Sequence, residues 1–267
     1  MPPPSPPGSP KPAGQSRAED TGFAAGALRP RPIRAILFDK DGTLSDFHLS
    51  WSPLYRELCL ELSDGDEAAA SAMLRAGGMV VETGRVRAGS VLAAGNTIDI
   101  VTAWYPRLPE REFQAMVAHI DRRFHENGIR HSVPVPGLKD TLARLRASGI
   151  VMGVATSDGT AAARAAITAL GLDRDLPHVF GYDSVPRPKP APDMVHAFAA
   201  LIGVPVECIA VVGDNTHDLH MAKNAGAALA IGVLTGTGAM SDLAPLADAV
   251  LPSINELPEW LASQGLV

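Results

Sequence analysis

The chain has 267 residues, of which 46% are hydrophobic and 19% charged, and its net charge is -6. That length supports one large domain or a core with a smaller one, and buries enough surface to fold without disulfide or metal staples. Two cysteines, no basic excess and no apolar run of the ~18 residues a membrane span needs exclude disulfide-rich, nucleic-acid-binding and membrane classes. An α/β or α+β protein, expected in the cytoplasm, remains.

Residues 1–32 are dense in Pro, Gly, Ser and Ala, with too few large apolar side chains to offset ordering entropy. They read as a disordered tail. Pro4 and Pro7 are spaced like a polyproline ligand, a pattern that arises often by chance. Residues 33–38 form a short apolar run that ends abruptly in Asp39-Lys40-Asp41-Gly42, which reads as a buried strand feeding a turn. Residues 46–134 carry amphipathic helical stretches at 54–62, 68–76, 97–104 and 111–126, with a loop or hairpin expected near 80–91. This interval is far longer than one crossover needs, so it reads as a mostly helical second domain inserted after the first strand. Linkers near Asp46 and at 133–137 would carry it.

Helical patterns at 138–148, 161–170, 193–202 and 217–224 then alternate with strand-like runs at 151–156, 178–182, 209–213 and 229–234. Gly149, Gly171 and Gly203 close three of those helices. The alternation predicts an α/β core, a doubly wound parallel sheet built from 33–45 and 135–267. Ligands of such a sheet bind outside the carboxyl ends of its strands. Asp39, Asp41 and Thr43 follow the first strand; Thr156, Ser157 and Asp158 follow the second; Lys189 sits in a Pro-rich loop beyond the third. Asp214, Asn215 and, one helical turn on, Asp218 follow the fourth. Carboxylates, hydroxyls and a lysine thus converge on one sheet edge, a set suited to a phosphate ester. A carboxylate serves as nucleophile toward phosphorus, and a second one two residues away serves as acid and base. Clustered carboxylates suit Mg²⁺, and lysine and hydroxyl groups stabilise the equatorial phosphoryl oxygens.

At these residues the sequence resembles the haloacid dehalogenase superfamily, in its phosphatase branch with phosphoglycolate-phosphatase-like members. The first motif matches as Asp39-x-Asp41-Gly42-Thr43-Leu44 and the second as Val154-Ala155-Thr156-Ser157. The third matches as Lys189-Pro190-x-Pro192-Asp193 and the fourth as Gly213-Asp214-x-x-x-Asp218. The resemblance implies Asp39 as nucleophile and Asp41 as general acid/base, with Thr156, Ser157 and Lys189 holding the phosphoryl group. It implies Mg²⁺ bound by Asp39, the main-chain carbonyl of Asp41 and Asp214, supported by Asp218. The insertion corresponds to that branch's helical cap. Lys40 stands where the family is usually apolar, and Pro188 where glycine is frequent.

Each residue also has a plainer reading. Asp218 fits the first turn of a helix, where the dipole stabilises a carboxylate anyway. Lys189 alone would be a solvated loop lysine, and Thr156 and Ser157 ordinary turn residues. His217 reads as a polar residue of a helix start, and His119 and His125 lack ligand spacing. The stretch Thr235-Gly236-Thr237-Gly238 reads as a turn lining the site at most. Arg85 and Arg87 either face solvent or read the substrate's remote end. The expected function is a Mg²⁺-dependent phosphomonoesterase acting on a small phosphorylated metabolite, phosphoglycolate first, through an aspartyl-phosphate. The alternatives are a sugar phosphomutase or a catalytically silent binding protein of the same fold. A monomer or homodimer is expected, with no nucleic-acid or membrane partner.

Overall fold

Ala35, Ile36, Leu37 and Phe38 are all fully buried, and together they form β1 (Ala35–Phe38) in the middle of a six-stranded parallel sheet. The computed structural model describes residues 1–2 and 32–267. Of the Pro-rich stretch read as disordered, residues 3–31 lie outside the described residues, and the Pro4–Pro7 spacing lies there too. After β1 come α1 (Phe47–Leu62), α2 (Glu67–Gly77), β2 (Met79–Val80), β3 (Arg85–Val86), α3 (Val91–Ala94), α4 (Thr97–Trp104) and α5 (Glu110–His131). There follow α6 (Leu138–Ala147), β4 (Val151–Ala155), α7 (Thr160–Ala169), β5 (His178–Phe180) and α8 (Asp193–Ile202). The chain ends with β6 (Ile209–Gly213), α9 (Thr216–Ala225), β7 (Leu229–Val233), α10 (Met240–Leu243), β8 (Ala249–Leu251) and α11 (Leu257–Ser263).

The strands lie side by side as β5-β4-β1-β6-β7-β8, and Ala35 is opposite both Val151 and Ile209. Alternate residues of β1 feed opposite faces, as a period of two requires. Ile36 and Phe38 join a cluster with Leu138, Leu142, Ile167 and Leu261, while Ala35 and Leu37 pack with Met194, Phe198, Leu219 and Leu243. The fold is therefore the expected doubly wound α/β sheet, covered by helices on both faces. The chain order reverses at β1, whose neighbours β4 and β6 begin the two wings, and a crevice opens at the carboxyl ends there.

The inserted helices have an apolar cluster of their own. Trp51 and Tyr55 of α1, Ile100 of α4 and Ile120 and Phe124 of α5 are buried in it, and Ala162 of α7 joins from the sheet side. The Trp51 and Phe124 rings meet edge to face at 4.9 Å. Burying each such aromatic stabilises by roughly 1.5–3 kcal/mol. The segment near 80–91 contains the antiparallel pair β2–β3. Helix α1 starts at Phe47, seven residues earlier than the pattern indicates, with Asp46 accepting from Leu49 N as its cap. Three C-terminal elements, α10, β8 and α11, have no counterpart in the sequence reading. Among the described residues no helix is long and apolar enough to cross a membrane.

Candidate active site

The turn after β1 is shaped by its glycine. Gly42 has φ +89°, a left-handed conformation costly for any residue with a β-carbon, and its N–H donates to Ser45 O at 2.7 Å. A β-carbon there would lie 2.6 Å from Asp214 Oδ2, so the turn and the end of β6 are in contact because residue 42 is bare. Asp39 N donates to Val212 O at 2.7 Å, which extends the β1–β6 ladder by one bond and fixes the direction of Asp39.

Lys189 closes the site from the third strand's loop. It is buried, and its Nζ donates to Asp39 Oδ1 and to Asp218 Oδ1, both at 2.6 Å. Asp218 also caps α9, since its Oδ2 accepts from Asn215 N at 3.1 Å, so one carboxylate both caps the helix start and bonds to Lys189. Asp214 Oδ2 accepts from Thr237 N at 2.7 Å and from Thr237 Oγ1 at 3.2 Å. One carboxylate oxygen each from Asp39, Asp214 and Asp218 lies within 4.8 Å of the others. Burial pushes the Asp39 carboxyl up, against the pull of Lys189, and Asp218 and Asp41 push it further. Burial also holds Asp214 well above the carboxylate range, and Asp39 and Asp218 add to it. Three hard oxygen donors that repel one another in a buried place are the donor set a divalent cation such as Mg²⁺ fits.

Asp41 has different neighbours. Its Oδ2 is 2.5 Å from Lys40 Nζ, and its Oδ1 accepts from Ser45 Oγ at 2.9 Å. Lys40 is buried, reaches Asp158 Oδ2 at 3.4 Å and lies 5.1 Å from the centre of the Trp51 ring. Burial opposes its charge, but Asp41 and Asp158 outweigh burial and raise its pKa. Asp158 is itself pushed up to about 6 by burial, with Lys40 pulling the other way. Thr156 is buried and its Oγ1 accepts from Asp158 N at 3.1 Å, while Ser157 Oγ donates to Ala94 O at 3.1 Å.

Asp39, Asp41, Thr156, Ser157, Lys189, Asp214 and Asp218 all line one cavity of about 540 Å³, part of it open to solvent. Of the residues picked from the strand ends, all but the buried Thr43 are thus in one place. His217 lines the cavity as well, its Nδ1 3.4 Å from Ala94 O. Arg85 and Arg87 are exposed and lie outside the lining, and His119 is paired to Glu61 at 2.9 Å. Sequence reasoning left out the partners of Lys40, namely Asp158 and Trp51, and the grip of Thr237 on Asp214. Lys40 did stand out as a departure from an apolar position, but nothing in the spacing names its partners.

The comparisons with known proteins agree with this geometry. A family model described as haloacid dehalogenase-like hydrolase matches residues 33–226. The chain is 33% identical over 207 residues to the probable phosphatase IndB of Dickeya dadantii, a match covering 75% of this chain and 81% of that one. It is 28% identical over 231 residues to a phosphoglycolate phosphatase of Rhodospirillum rubrum, covering 85% and 90%. A hydrolase crystal structure from Pseudomonas syringae superposes with TM-score 0.65 at 21% identity, covering 86% of this chain and 98% of that one. With its four strand-end motifs gathered in one crevice and the family model spanning most of its length, the chain belongs to the haloacid dehalogenase-like hydrolases.

Proposed function

We propose that the protein is a Mg²⁺-dependent phosphomonoesterase that works through an aspartyl-phosphate on Asp39. The observation that carries this reading is the meeting of Asp39, Asp214 and Asp218 within 4.8 Å, with Lys189 bonded to two of them. The names of the relatives from Dickeya and Rhodospirillum point the same way. Phosphoglycolate is the first ester to assay. The inserted segment, 46–134, acts as a cap over the core of 33–45 and 135–267, and the enzyme works in the cytoplasm as a monomer or homodimer.

In the first half-reaction an Asp39 oxygen forms a bond to phosphorus as the ester P–O bond breaks. Asp41 gives its proton to the departing alkoxide. In the second half-reaction Asp41, now a carboxylate, takes a proton from water as the water oxygen attacks the aspartyl-phosphate. Inorganic phosphate leaves and Asp39 is restored. Lys189, Thr156 and Ser157 orient the phosphoryl oxygens and offset their charge. Asp39, Asp214 and the Asp41 carbonyl, with Asp218 beside them, would hold Mg²⁺, whose charge would let a dianion approach a carboxylate.

Hydrolysis of 4-nitrophenyl phosphate, with Mg²⁺ and again after chelation, tests the reading. Turnover should require the metal and vanish in Asp39→Asn. Turnover that survives in Asp39→Asn overturns the assignment of the nucleophile.

A further inference from the structure

We propose that the alcohol portion of the ester is uncharged and apolar, an alkyl or aryl group in place of a carboxylate. This deepens the phosphomonoesterase reading and rests on it. Two independent features of the cavity carry it.

The first is charge. The lining holds five carboxylates, Asp39, Asp41, Asp158, Asp214 and Asp218, and one lysine, Lys189. Behind them stands Lys40. Both lysines are already committed: Lys189 to Asp39 and Asp218 at 2.6 Å, Lys40 to Asp41 at 2.5 Å and Asp158 at 3.4 Å. A divalent cation added to the acidic cluster still leaves this set without surplus positive charge. The phosphate dianion then brings two negative charges of its own. A substrate carboxylate would add a third with no counter-ion, in a setting where an unpaired charge is costly. Arg85 and Arg87 are exposed and off the lining, and Arg56 and Arg123, the neighbours in sequence of the lining residues Tyr55 and Phe124, are off it too.

The second is the wall facing the phosphate site. Phe47, Trp51, Leu92, Ile100 and Phe124 line it, all buried. The polar groups there are used elsewhere. Tyr55 donates its hydroxyl proton to Leu92 O at 3.0 Å, and Thr97 donates its own to Asp121 Oδ1 at 2.6 Å. Of the other lining donors, His217 turns its Nδ1 to Ala94 O at 3.4 Å and Asn215 Nδ2 donates to Thr237 Oγ1 at 3.3 Å. An aromatic and aliphatic wall gains from covering an apolar group and offers a carboxylate nothing.

The test compares 2-methylpropyl phosphate with 2-phosphoglycolate in the wild-type enzyme with Mg²⁺. The two esters share shape around the remote carbon, and two methyls stand where the carboxylate oxygens are. The neutral ester should have a kcat/KM at least about tenfold higher, a ratio within reach of one well-matched apolar contact set. Half-buried Ala93 also lines the cavity, and Ala93→Arg places a guanidinium on that wall. In this variant the ratio should fall by about tenfold or invert. Equal or better hydrolysis of phosphoglycolate by the wild type overturns the inference and leaves the phosphomonoesterase reading intact. A folded Ala93→Arg enzyme with an unmoved ratio also overturns it. If neither ester nor 4-nitrophenyl phosphate is hydrolysed, both readings fall together. The wild-type comparison stands by itself should the variant not fold.

Discussion

Lys40 Nζ lies 2.5 Å from Asp41 Oδ2, so adjacent residues of one turn form an ion pair at the edge of the site. The same ammonium faces Asp158 and the Trp51 ring, which belong to the segment after β4 and to α1. One buried cation thereby touches the turn after β1, the loop after β4 and α1.

Removing that cation should be costly. Lys40→Met leaves Asp158 buried without its partner, and breaking a buried pair from one side costs about 3–5 kcal/mol. Urea unfolding of the metal-free protein should show a loss of that order. Adding Asp158→Asn to Lys40→Met should recover a large part of it, because the stranded charge is gone. Equal stability of the single and double variants would show that Asp158 does not depend on Lys40.

Asp158 also sets a pH dependence. Its folded pKa, about 6, lies above the ordinary 3.8, so the folded protein holds this proton more tightly than the unfolded chain. Stability from this source is complete below the ordinary value and is lost as pH rises through about 6. Asp39, also pushed up, contributes in the same direction. Metal-free stability should therefore fall between about pH 4 and 7, and Asp158→Asn should flatten part of that fall. An unchanged slope in Asp158→Asn would remove Asp158 from the account.

Metal binding should be visible without turnover. A cation that enters the Asp39–Asp214–Asp218 cluster relieves their repulsion and binds only the folded state. At 100 times its Kd it should stabilise by about 2.7 kcal/mol and raise Tm accordingly. Asp214→Asn should lose the Mg²⁺-dependent rise. A rise of the same size in Asp214→Asn would place the cation elsewhere.

The two aspartates of the first motif should separate in pre-steady-state kinetics. Nitrophenolate departs with little protonation, whereas water attack on the aspartyl-phosphate needs a base in every case. Asp41→Asn should release about one equivalent of nitrophenol per enzyme in a burst. Its steady state should then be slower by about 10²–10⁴-fold. An alkyl phosphate should give almost no burst. A wild-type steady rate in Asp41→Asn would end the acid/base assignment.

Much of this arrangement was legible because a parallel sheet delivers its strand ends to one edge. Asp39, Thr156, Lys189 and Asp214 needed only correct strand ends to be brought together, and β1, β4 and β6 are apolar enough to read directly. Local exceptions hid the rest. Pro53 masks the first turns of α1, although a helix tolerates it where the carbonyl four residues earlier, on exposed Leu49, is free to meet water. β8 is three residues long between Asp248 and Pro252, too short to show a period. The Lys40–Asp158 pair and the Thr237–Asp214 bonds join loops from different strands, and no local pattern encodes such a meeting.

Gly42, Gly236 and Gly238 converge on Asp214, and a β-carbon on any of them would overlap it. Gly42 and Gly236 confine the carboxylate and Gly238 the main-chain carbonyl, and none of the three contributes a functional group. A hydrogen-bonding neighbour tolerates replacement in kind, since Thr237→Ser keeps both donors. At Gly236 no L-residue has an equivalent, because its first carbon already displaces Asp214. In a mutational library selected for turnover, these glycines would read as invariant as Asp39, although none of them touches phosphorus.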